Sequence, residues 1–221
     1  MSGPFRSLED SKHAYYLVFD FEMAVTDKFG STWGCARLST VVAAQDTGIR
    51  PLKRNEYARL VDAGCFEHEH VELLHGVIVR MSPHGAPHDG TLDILESLLK
   101  QRLGTRTKVR VQSAFAASDD SQPEPDIAVV PHVDYRSAHP DHAFLIVEIA
   151  HSSLQRDREK ALIYARSGVP EYWIVNLVDK VVERFRAPSP TGYQSVDAVN
   201  ASGTLVIEAF PECVIQAAEF L

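Results

Sequence analysis

A glutamate stands inside the most apolar stretch of the chain, Ala143-Phe144-Leu145-Ile146-Val147-Glu148-Ile149-Ala150. A run apolar on both faces and this short reads as a central strand of a sheet covered on both sides. A carboxylate inside it is costly unless another group compensates the charge. Upstream, Pro125-Asp126 opens a second apolar run, Ile127-Ala128-Val129-Val130. Downstream, a helix-like segment carries Lys160. If the two runs are neighbouring strands, Asp126 and Glu148 converge at one end of the sheet. Two carboxylates at short range repel, and a hard divalent cation removes that penalty. The plain alternative is that Asp126 caps a turn after Pro125 and Glu148 ends its strand in water.

The patterns around this pair describe one organised domain, residues 51–221, behind an N-terminal extension, residues 1–50, of unspecified structure. In the extension, Tyr15 to Glu22 alternates loosely like a strand, and Thr40 to Gly48 reads as a marginal helix. In the domain, Asn55 is placed to cap a helix over Glu56 to Ala63, with Gly64 as its stop. Strands over Val71-Leu74 and Gly76-Met81 meet at His75-Gly76. From His88 to Leu103, Leu92, Leu95, Leu99 and Leu103, with Ile94 and Leu98, form a helical stripe that Gly104 ends. Val109, Val111 and Phe115 suggest a half-buried strand. Strands Asp126-Val130 and Phe144-Ile149 precede a helix from Gln155 to Ser167. A hairpin around Asp179 joins Glu171-Val175 to Val181-Phe185. Further strands are expected near Tyr193 and over Leu205-Ile207. This order predicts an α/β class fold, a mixed β-sheet flanked by α-helices.

Composition narrows the function classes. The chain has 221 residues, 45% of them hydrophobic and 24% charged, as in an ordinary globular protein. Its net charge of −8 argues against a nucleic-acid grip spread over the whole surface. A local basic strip exists nonetheless, Lys100, Arg102, Arg106, Lys108 and Arg110. It reads either as a phosphate track or as a solvated helix end. The three cysteines, Cys35, Cys65 and Cys213, show no C-x-x-C spacing, so neither a zinc knuckle nor a disulfide framework is indicated. Without a secretory leader or an apolar run of about 18 residues, a cytoplasmic protein with no membrane segment is expected.

Lys160 and Tyr164 share a helix face, with Ala161, Leu162 and Ala165 beside them. A lysine over a metal site can orient an attacking water or neutralise charge on a phosphate. The alternative is a solvated lysine paired with Asp157 or Glu159. Among the histidines, His68, His70, His75, His84 and His88 cluster without the H-E-x-x-H spacing of zinc hydrolases.

Together these residues resemble the Uma-two family of restriction-endonuclease-like proteins in the PD-(D/E)XK nuclease superfamily. The likeness rests on Val71-Glu72-Leu73 through Met81-Ser82-Pro83, then Pro123-Glu124-Pro125-Asp126. It continues through Leu145-Ile146-Val147-Glu148-Ile149, Ser152-Ser153, Asp157-Arg158 and Lys160. It closes on Tyr164, Gly168-Val169-Pro170 and Glu171-Tyr172-Trp173-Ile174-Val175. The resemblance implies that Asp126 and Glu148 are metal-binding acids. The superfamily's lysine stands two residues after the second acid, where this chain has Ala150, and the family pattern moves it to the next helix, as Lys160. Glu72 matches an early acidic position, either a third, water-mediated metal contact or a residue ordering a strand end. His88 matches a position often filled by histidine. His88 and Tyr164 are placed to touch the site or the substrate, and Gln112, in the strand before Asp126, either hydrogen-bonds the site or is an exposed polar group of that strand. The implied activity is a Mg2+-dependent endonuclease acting on DNA, with Mn2+ as substitute and a homodimer as the convenient form. A catalytically inactive module of the same fold, binding nucleic acid or protein, is the alternative.

Overall fold

The computed structural model describes residues 50–221 and the backbone of two earlier strands, β1 (Tyr16–Phe21) and β2 (Leu38–Ala43). The chain divides into two compact units, Met1–Arg50 and Pro51–Leu221. In the first, β1 and β2 pair antiparallel, Tyr16 opposite Ala43. The loosely alternating segment forms β1. The marginal helix expected from Thr40 is instead strand as far as Ala43. The β-branched run Thr40-Val41-Val42 loses side-chain freedom in a helix and fits a pleated strand. The rest of that expected helix, residues 44–48, and Cys35 lie outside the described residues.

The second unit opens with α1 (Arg54–Asp62). This helix starts earlier than Asn55 suggested. Lys53 is its N-cap residue, and the Glu56 carboxylate accepts the Lys53 backbone N–H at 2.9 Å. β3 (Val71–Leu74) and β4 (Val77–Arg80) form a hairpin through His75 (φ 51°) and Gly76 (φ 75°). Two left-handed residues in a row make the tight turn that matches strand twist. At Gly76 a side chain is excluded twice, since a Cβ there would stand 2.3 Å from the Pro51 Cβ.

α2 (Ala86–Leu103) follows, then β5 (Thr107–Val111), β6 (Ile127–Pro131), β7 (Leu145–Ala150), α3 (Leu154–Arg166) and β8 (Glu171–Asn176). β9 (Val181–Ser189) and β10 (Gly192–Asn200) form a long hairpin. β11 (Thr204–Ile207) and β12 (Phe210–Gln216) form a shorter one. The main sheet runs β10-β9-β8-β7-β6-β5, and only β7 and β8 are parallel, joined through α3. The fold is therefore a mixed α/β structure, a six-stranded mixed sheet flanked by helices. No helix among the described residues is long and apolar enough to cross a membrane.

Strand alternation sorts the core into two layers. Leu145, Val147 and Ile149 face the layer of Leu92, Leu95, Leu99 and Leu103 from α2, together with β11 and β12. Ile146 and Ala150 face the opposite layer, with Ala161 and Tyr164 from α3. Side chains alternate along a strand, so Glu148 must point toward α3. Asp126, in phase with Ala128 and Val130 of the same layer, points that way as well. Phe115, expected to extend β5, instead lies beyond its end and packs in the α3 layer.

Candidate active site

The pairing of Ile127 with Val147 sets the register of β6 against β7. One step further along that antiparallel ladder, Asp126 comes beside Glu148. The backbone ties the two together. The Ile149 N–H donates to Asp126 Oδ2 at 2.8 Å, and the Asp126 N–H reaches Glu148 Oε2 at 3.4 Å. Both acids are buried.

α3 brings the counter-charge. Its Lys160 ammonium is buried and lies 3.1 Å from Glu148 Oε1 and 3.0 Å from Glu72 Oε2. One turn on, the Tyr164 hydroxyl donates to Glu148 Oε1 at 2.9 Å. The solvated, surface reading of Lys160 is thus overturned: the helix lies flat on the sheet and turns this face inward. Glu72, from β3, also accepts the Glu124 backbone N–H at 3.1 Å. It therefore both faces the ammonium and anchors the chain ahead of Asp126.

His88 lies in the first turn of α2, with its Nε2 3.1 Å from Asp126 Oδ2 and its Nδ1 3.2 Å from Asp89. The His84 ring stacks on His88, centroids 3.9 Å apart. Gln112 reaches His84 Nδ1 at 3.1 Å rather than the acids, so it touches the site through two rings. Gln112 holds φ at 42°, an uncommon conformation for a residue with a side chain. His84, His88 and Asp89 bring ligand-type atoms within 4.8 Å of one another, yet both ring nitrogens of His88 already face carboxylates. His68 and His70 are exposed and His75 sits in the β3–β4 turn, so none of these three lines the cleft.

Three participants named in the sequence were not assigned to the site. Asp157 is buried in the cleft wall and accepts the Ser153 hydroxyl at 2.6 Å. It stands three residues before Lys160, which is helical spacing for a shared face, but a lone Asp in a charged helix start looks like surface. Glu124 and His84 line the same cleft, which has a volume of about 140 Å³, room for an ion with waters.

Negative charge exceeds positive here. Burial pushes the Glu148 carboxyl well above its usual range; Lys160 opposes this, and Asp126, Asp157 and Glu72 add to it. Burial likewise raises Asp157 to about 6, against the Ser153 hydrogen bond and Lys160. For Lys160, burial alone would lower the pKa, but Glu148, Glu72 and Asp157 outweigh it and hold it above the ordinary lysine value. Burial also opposes protonation of His88, and contacts with Asp126 and Asp89 reverse the balance and raise it. Five carboxyl groups face the Lys160 ammonium and the His88 imidazole, with Arg156, His84 and His151 also lining the cleft. Clustered hard oxygen donors with surplus charge fit a small divalent cation.

The family described as "Putative restriction endonuclease", Uma2, matches residues 54–218. The chain belongs to the Uma2 family. The match takes in α1 through β12 and every cleft residue described above. A crystal structure from Anabaena variabilis ATCC 29413, described as a "putative nuclease belonging to DUF820", is similar at a TM-score of 0.64 and 14% identity. The match covers 77% of this chain and 97% of that one, and at this identity the likeness is one of fold. No protein of curated function matches. In this Uma2 chain the place two residues after Glu148 is Ala150, which faces the α3 layer. The amine that reaches Glu148 comes from the helix instead.

Proposed function

We propose that the protein is a metal-dependent endonuclease that hydrolyses phosphodiester bonds in DNA. The observation that carries this reading is the convergence of Asp126, Glu148 and the Lys160 ammonium in one buried cleft, from two strands and a helix. Asp126 and Glu148, with the Ile149 carbonyl, would hold Mg2+ or Mn2+. When bound, such an ion lowers the pKa of a water and polarises a phosphate oxygen.

The chain's own groups supply the rest. His88 and the Ile149 N–H fix the Asp126 carboxylate from two sides. Tyr164 pins one oxygen of Glu148. The Lys160 ammonium donates hydrogen bonds toward the cleft, where it can orient a nucleophilic water and offset charge growing on the phosphate. Glu148, Glu72 and Asp157 outweigh burial and favour the charged ammonium. The same fold kept only as a binding module would need none of this convergence.

The test is cleavage of supercoiled DNA by the purified chain with Mg2+ or Mn2+. Asp126→Ala and Glu148→Ala are expected to remove at least two orders of magnitude of rate while remaining folded by circular dichroism. Folded variants that cut like wild type would refute the assignment and leave the binding module.

A further inference from the structure

The basic strip of the sequence separates, in the structure, into two groups with different fates. Lys100 pairs with Glu96 at 2.5 Å, Arg102 with Glu219 at 3.3 Å, and Arg106 with Glu212. The Arg106 guanidinium also lies over Phe210. These three cations are neutralised, Lys100 within α2, Arg106 by β12 and Arg102 by a glutamate just after it. Lys108 and Arg110 differ. Among the described residues neither pairs with a carboxylate. The Lys108 ammonium donates to the Val133 carbonyl at 2.5 Å. Arg110 has a buried Nε with no hydrogen-bond partner.

Both side chains lie on the face of the sheet that carries the acids. Lys108 is opposite Val130 and Arg110 opposite Ala128 in the β5–β6 register, and both belong to the α3 layer. Lys108 and Arg110 lie 5.7 and 5.3 Å from the Tyr135 ring centre, so an aromatic face stands between two cations. The next residue in phase is Gln112, whose N–H donates to the Asp126 carbonyl and whose amide holds His84 at the cleft. Along an edge strand, residues in phase are about 7 Å apart. Lys108 and Arg110 therefore form a row along β5, and Gln112, just past the strand's end, is tied by its backbone to Asp126. His139, in the loop after β6, gives a second sign of positive potential: burial lowers its pKa, and Arg110 and Arg54 lower it further. Of the nearby acids, Asp134 is paired with Arg136 at 2.6 Å and also feels the Lys108 charge, and Asp141 acts on Tyr135.

We propose that β5 is a track for a nucleic-acid backbone, with Lys108 and Arg110 as phosphate contacts that lead the strand past Gln112 and His84 into the cleft. The proposal rests on the nuclease reading of the cleft and adds to it the face and direction of substrate approach. It also accommodates a net charge of −8, since Lys108 and Arg110 put positive charge on the sheet face that carries the acids.

The test uses the full chain and a short fluorescent DNA duplex, with EDTA present so that no cutting occurs. Binding is measured across a salt series. Lys108→Gln with Arg110→Gln is expected to weaken binding on the order of tenfold and to flatten the slope of log affinity against log salt by about 2. Lys100→Gln with Arg102→Gln is expected to leave both unchanged. If the first pair unfolds, Lys108→Gln alone should flatten the slope by about 1. A wild-type slope in the β5 variants, in a protein that still cuts DNA with Mg2+, overturns the track and leaves the nuclease reading standing. A wild-type protein that neither binds nor cuts overturns both.

Discussion

At the scale of single residues, the site is a problem in proton placement. Asp157 is buried 4 residues from where its hydroxyl partner Ser153 begins the helix, and its folded pKa is raised to about 6. A raised folded pKa means that the neutral carboxyl is the form the fold prefers. Its contribution is fully present below the unfolded value, near 3.8, and is lost as pH rises through about 6. Glu148 is raised in the same direction, chiefly by burial. The metal-free protein should therefore lose stability between pH 4 and neutrality. Asp157→Asn removes one of the titrating groups. Relative to wild type, this variant should gain stability on going from pH 5 to pH 8, by about 1.4 kcal/mol, the part of the shift that lies above pH 5. Urea unfolding at the two pH values in EDTA measures it, and a pH-independent difference would contradict the assignment of charge. Lys160→Met acts in the opposite sense. It leaves Glu72 and Glu148 without their shared cation and should cost about 3–5 kcal/mol at pH 8. The loss should shrink at pH 5, where the raised Glu148 carboxyl more readily accepts a proton.

At the scale of elements, what could be read in advance follows the strength of local pattern. β7 was legible because a buried Glu in an apolar run forces a choice of face, and alternation then assigns that face without further information. α2 was legible from Leu92, Leu95, Leu99 and Leu103, and the β3–β4 turn from His75-Gly76. The pairing of Asp126 with Glu148 needed the register of two strands separated by a long loop, which no local signal contains. Asp157 escaped for a related reason: among Arg156, Arg158 and Glu159 its burial is set by how α3 lies on the sheet, not by its neighbours in sequence. β12 was not anticipated, since Phe210 to Gln216 mixes exposed and buried positions and a proline. Separate layers also predict separable effects. Leu99 is fully buried on the α2 face, opposite the acids. Leu99→Ala should cost about 2–5 kcal/mol of stability, and the folded fraction should still bind Mn2+ as wild type does. Differential scanning calorimetry and a Mn2+ titration together decide this.

At the scale of the whole molecule, net charge averages over groups that never act together. The acids concentrate in a buried cleft, three cations of the strip are consumed by Glu96, Glu212 and Glu219, and Lys108 and Arg110 remain on the sheet face that carries the acids. The cleft carries negative charge that the fold does not neutralise, so part of the folding free energy is spent in bringing like charges together. A cation that binds only the folded form returns that cost by mass action, about 2.7 kcal/mol at a hundredfold excess over its dissociation constant. Binding must also expel the protons that burial has placed on Glu148 and Asp157. Two consequences follow together. Mn2+ should raise the melting temperature more at pH 8 than at pH 5.5, and the calorimetric heat of binding should vary with the ionisation enthalpy of the buffer. Both effects should vanish in Asp126→Ala, whose substitution leaves the α2 core layer untouched. A melting temperature that rises equally at both pH values, or equally in Asp126→Ala, would place the ion elsewhere on the molecule and remove the cleft's surplus charge as the reason for its architecture.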